Sequence, residues 1–133
     1  MKYYSELADA LSAEDLCLAE EILEKIEEED DSIEYVEAIL KFMEENPYLD
    51  YGMPGPAVHY IERYFLRGYE QLLYESLTRR PIQHTVWMLN RIINSPKLEE
   101  KEKYLSLLSN IASDNSVDAA VREDAKNFLE HQR

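Results

Sequence analysis

Apolar residues recur at three- and four-residue spacing in one segment after another, and nowhere alternate. Leu16, Ala19, Leu23 and Ile26 follow this spacing, as do Ile33, Val36, Leu40 and Met43, and later Val117, Val121, Ala125 and Phe128. Such spacing puts a stripe on one face of a helix, whereas a half-buried strand needs a period of two. Three glycines in 133 residues leave few natural breaks, and Leu, Glu, Ala and Lys outnumber the β-branched types, a balance that favours helix. The pattern predicts an all-α fold of about eight helices. The length suits a single helical domain over residues 1–133, large enough to bury an independent core.

Breaks between the stripes set the expected boundaries. Residues 2–11 form a first helix on Tyr3, Leu7 and Leu11, and Ser12 is the expected N-cap of a second helix over 13–29. Asp31, with Glu34 three residues on, fits a capping box for a third helix reaching about Glu45, and Asn46-Pro47 ends it. The connection PYLDYGMPGP mixes aromatic, Gly and Pro residues, the chemistry of an ordered loop. Pro54 and Pro56 suit the first turn of a fourth helix on Val58, Ile61 and Phe65. Gly68 interrupts that stripe, and Tyr69, Leu72, Leu73 and Leu77 carry a fifth. After Arg79-Arg80-Pro81, a sixth helix over about 82–94 is apolar on most sides, the mark of a central element covered by neighbours. Ser95-Pro96 reads as the cap and first residue of a seventh, and Asp114-Asn115-Ser116 as the turn before the last. Antiparallel helical hairpins in this order fit a HEAT-like α-solenoid or an irregular helical bundle, and no fixed repeat period separates the two.

Charge is distributed unevenly. Residues 1–50 hold 3 basic and 17 acidic side chains, net −14, and residues 51–133 hold 11 of each, net zero. Net charge of this sign repels nucleic acid and anionic lipid, whose recognition rests on Lys and Arg neutralising phosphate. It attracts basic partners and speeds their association. No apolar run reaches the roughly 20 residues of a membrane span. The single cysteine, Cys17, cannot form an internal disulfide, so a reducing, cytoplasmic setting is expected.

No catalytic motif is present. His84, Trp87 and Arg91 share one helical face, and His59 precedes Glu62 and Arg63. Neither histidine has a partner at metal-ligand spacing, so no metal and no cofactor are expected, and the Trp reads as core with His and Arg at its rim. The acidic run Glu27, Glu28, Glu29, Asp30 and Asp31, joined by Glu20, Glu21, Glu24, Glu34 and Glu37, is the candidate surface for a basic partner. Tyr48 and Tyr51 in the following loop add the aromatic character that interfaces favour.

Two blocks, GMPGPAVHYIE at 52–62 and RRPIQHTVWMLNRIIN at 79–94, carry a further signal. Residues 51–95, a third of the chain, resemble small bacterial immunity proteins of polymorphic-toxin and contact-dependent inhibition systems. The resemblance implies an all-helical, HEAT-like protein that binds and neutralises a cognate protein toxin. Within the blocks Gly52, Pro54, Gly55, Pro56, His59, His84, Trp87, Asn90 and Arg91 read as fold-defining. A basic toxin domain, nucleases being one such class, would complement the acidic face. The alternatives are a helical adaptor for another cellular protein and a small enzyme using His59 and His84.

Overall fold

A computed structural model describes residues 1–132. Among these the secondary structure is entirely helical: α1 Tyr4–Ser12, α2 Leu16–Glu29, α3 Ile33–Glu45, α4 Gly55–Glu62, α5 Tyr69–Arg79, α6 Gln83–Ile93, α7 Lys101–Ser113 and α8 Ala119–His131. The all-α expectation therefore holds. Arg133, the last residue of the expected domain, lies outside the described residues. The chain divides into two compact units, Met1–Leu72 and Leu73–Arg133. Every unit of net charge falls in the first, which holds 5 basic and 19 acidic side chains against 9 and 9 in the second.

In the first unit α2 packs on α1 and α4, and α3 on α4. The stripes read from the sequence are the buried faces: Leu7 and Leu11 of α1, Ala19, Leu23 and Ile26 of α2, Val36, Leu40 and Met43 of α3, and Val58 and Ile61 of α4. Each fully buried Leu, Ile or Met stabilises the unit by roughly 1.5–3 kcal/mol relative to exposure. In the second unit α6, α7 and α8 pack on one another. Val86, Met88, Leu89, Ile92 and Ile93 of α6 are buried, and the Thr85 hydroxyl accepts from the Ile82 N–H at 3.3 Å, closing the helix start.

Several boundaries differ from expectation. Ser12 ends α1 rather than capping α2. Glu14 adopts a left-handed φ of 55°, the Asp15 N–H reaches back to the Ala10 carbonyl at 3.0 Å, and Asp15 caps α2 by accepting from Leu18. Ser32, not Asp31, caps α3, its hydroxyl accepting from the Glu34 N–H at 3.1 Å. Phe65 lies in the turns after α4 rather than on it. The Ser95-Pro96 signal is spent on a local turn, in which Ser95 accepts from Lys97, and α7 starts only after Glu100, at φ 56°. Trp87 is half-buried rather than central.

The loop between α3 and α4 is ordered by two glycines at positive φ, Gly52 at 90° and Gly55 at 81°. Tyr51 anchors it, buried at 1% exposure, with its hydroxyl donating to the Asn46 carbonyl at 2.7 Å.

Candidate functional site

Local sequence makes the five acids at the end of α2 look equivalent, but the fold treats them differently. α4 ends at Glu62, and the next residue, Arg63, sends its guanidinium back across the ends of α2 and α3. Its Nε lies 2.7 Å from a Glu27 oxygen, and its two Nη atoms donate to the Asp31 carboxylate at 3.2 and 2.9 Å. The Tyr60 and Tyr64 hydroxyls donate to the same carboxylate at 2.7 and 2.8 Å. Arg63 also lies over both rings, 5.2 Å from the Tyr60 centroid and 5.9 Å from that of Tyr64. The Arg63 guanidinium, with the two hydroxyls, holds the Asp31 carboxyl down at about 2. Burial, reinforced by the Asp31 bond, pushes the Tyr60 and Tyr64 hydroxyls up.

Asp30 has its own partners. The Tyr35 hydroxyl donates to it at 2.5 Å and the Lys2 N–H at 2.9 Å, and these bonds, Tyr35 first, hold its carboxyl low. Burial and the Asp30 bond raise Tyr35 to about 12. Glu29 accepts from the Tyr3 hydroxyl at 2.9 Å. Glu27, Glu29, Asp30 and Asp31 are thus bonded within the fold, which corrects their reading as residues wholly available to a partner.

The other acids form a different group. Glu20, Glu21, Glu24, Glu28 and Glu34 are exposed, and no cation lies within ion-pair range of them among the described residues. Glu37 pairs with Lys41 one turn on, at 3.2 Å. Glu20, Glu24 and Glu27 wall one side of a cleft of about 330 Å³ between α2 and α4, opposite His59 and Arg63, with Leu23, Pro56 and Tyr60 completing its lining. In the α3–α4 loop Tyr48 is 81% exposed and Met53 76%. Tyr51, placed on the interface by its sequence context, is core instead.

The residues of the two sequence blocks separate in the same way. Gly52, Pro54 and Gly55 build the loop into α4, and Pro56 and His59 line the α2–α4 cleft. In the second unit His84 stacks at a tilt on Trp87, 5.3 Å between centroids, and the Arg91 guanidinium lies 5.1 Å from the Trp87 ring. Asn90 accepts from the Gln132 amide at 2.8 Å, tying the end of α8 to α6. Among the described residues no three His, Cys, Asp or Glu side chains are grouped as a metal site requires. No helix is long and apolar enough to cross a membrane.

Sequence reasoning missed Arg63, Tyr60 and Tyr64 as partners of the acidic run. The available signal was the surplus of tyrosines and the spacing of Tyr60, Arg63 and Tyr64, which one helical turn presents together. Comparison of the chain with protein families, with curated proteins and with solved structures gives no match.

Proposed function

We propose that this chain is a non-catalytic, cytoplasmic immunity-type protein that binds a basic protein toxin and neutralises it by covering it. The observation that carries this reading is the surface of α2, where Glu20, Glu21, Glu24 and Glu28 stand exposed with no cation in ion-pair range among the described residues. Self-repulsion on such a face costs stability, and the fold offsets it at the end of α2, where Arg63 pairs with Glu27 and Asp31 and hydrogen bonds hold Glu29 and Asp30, but not at these four. A basic partner supplies the missing counter-charge and is steered to it over a Debye length. Exposed Tyr48 and Met53 offer apolar anchors in the same unit. The resemblance of residues 51–95 to immunity proteins points to the same class of partner.

The test begins with the protein encoded beside this chain's gene, purified and titrated against it. Lysine at Glu20, Glu24 and Glu28 leaves the bonded acids untouched. Exposed charge pairs are worth roughly 0.2–1 kcal/mol each, so the triple reversal weakens binding about ten-fold or more and flattens its salt dependence. Unchanged affinity and salt slope would remove the acidic face from the interface. A neighbouring product that does not bind at all would overturn the immunity reading and leave the adaptor.

A further inference from the structure

A second concavity in the first unit lies between α3 and the start of α5, with a volume of about 590 Å³. Its floor is apolar: Ile33, Ala38 and Leu72, each half-buried, with Gly68 between the two helices. The glycine allows the close fit, because a Cβ there would come within 2.7 Å of the Ile33 Cδ1. Glu34 and Glu37, one turn apart on α3, form the rim on one side, and Lys41 stands further along. Glu37 is satisfied by Lys41, while Glu34 has no cation in range among the described residues.

We infer that this α3–α5 groove is a docking site for an amphipathic helix of a partner protein, one that inserts apolar side chains and carries Lys or Arg beside them. Charge selects the occupant. The groove belongs to a unit of net charge −14, so a second copy of this unit, or an acidic segment, would meet like charge at the rim. A lysine one turn from an inserted leucine reaches Glu34 while the leucine covers Ile33 and Leu72. The inference rests on the reading of the first unit as a surface for basic protein, but uses neither the α2 face nor the α2–α4 cleft.

The test uses a synthetic amphipathic helical peptide with a leucine stripe flanked by lysines, and a second peptide with glutamates in place of the lysines. With isotope-labelled protein, the lysine peptide shifts the methyl signals of Ile33 and Leu72. By fluorescence anisotropy Ala38→Trp, which fills the floor, weakens binding about ten-fold. Glu34→Gln with Glu37→Gln, exposed changes that leave the core intact, weakens it several-fold and lowers its salt dependence. Silent methyls, equal binding of the glutamate peptide, or full affinity in the double Gln variant would each overturn the assignment. Because the peptide never needs α2, loss of toxin binding in the α2 triple reversal and loss of peptide binding here are separable results.

Discussion

Replacing Asp31 with alanine lowers the unfolding free energy by about 2–3 kcal/mol near neutral pH. The change removes one carboxylate and strips partners from Arg63, Tyr60 and Tyr64 together. Tyr60 and Tyr64 are buried, so their hydroxyls lose a bond that water replaces poorly. The effect depends on pH. Asp31 is held at about 2 in the fold, against a usual 3.8, so its stabilisation is complete above pH about 4 and is lost as pH falls toward 2. At about 1.36 kcal/mol per unit this part approaches 2.5 kcal/mol. The side chain is 32% exposed, so solvent screening brings it to roughly 1–2 kcal/mol. Urea melts of the wild type and Asp31→Ala should therefore converge between pH 4 and 2. Asp31→Asn keeps an acceptor and recovers part of the loss. A gap between wild type and Asp31→Ala that persists undiminished at pH 2 would show that the carboxylate's charge is not what the tyrosines and Arg63 read.

Gly52→Ala costs about 3 kcal/mol, through two effects that a neighbouring glycine separates. The φ of 90° at Gly52 strains any L side chain, by roughly 1–2 kcal/mol. The added Cβ would also lie 2.6 Å from the Gly55 Cα and 3.1 Å from its nitrogen, and backbone cannot swing aside as a side chain can. Gly55 has a similar φ of 81°, but a Cβ there meets nothing within 4 Å, so Gly55→Ala pays the strain alone. Chemical denaturation of the two variants should differ by at least about 1 kcal/mol. Equal losses would remove the close approach of the loop to itself as a cause.

Helices were legible in this sequence because their stripes are local. The spacing of Leu16, Ala19, Leu23 and Ile26 alone reports the buried face of α2. Their ends were less legible, because distant groups decide them. Glu14 takes its left-handed φ while its carboxylate accepts the Asp50 N–H at 2.7 Å from 36 residues away, and no window around Ser12 contains that bond. Asp31 and Ser32 are adjacent and both suited to capping. Ser32 caps, and Asp31 turns to Arg63, 32 residues downstream. The same long-range bonds explain why the candidate surface was only half readable. Net charge located it, but the partners of Glu27, Glu29, Asp30 and Asp31 are Lys2 and Tyr3 ahead of α1, Tyr35 of α3, and Tyr60, Arg63 and Tyr64 at and just past the end of α4, and only the folded chain separates bonded acids from those left facing water. The α3–α5 groove had no sequence signal, since it pairs a face of α3 beside its buried stripe with the first turn of α5, far apart in the chain.

Aromatic residues are partitioned as sharply as charge. Eight of the ten tyrosines lie in Met1–Leu72, and the only tryptophan, Trp87, lies in Leu73–Arg133. Each unit thus has its own chromophore. Trp87 emission, excited at the red edge where tyrosine does not absorb, follows the second unit. Tyrosine absorbance follows chiefly the first, whose phenols change environment when Asp30 and Asp31 let go. Overlaid melting curves from the two signals would report one cooperative transition. Separated curves, with only the tyrosine curve moving on addition of salt, would report two units melting independently. The wild-type chain can therefore be followed half by half without an attached dye.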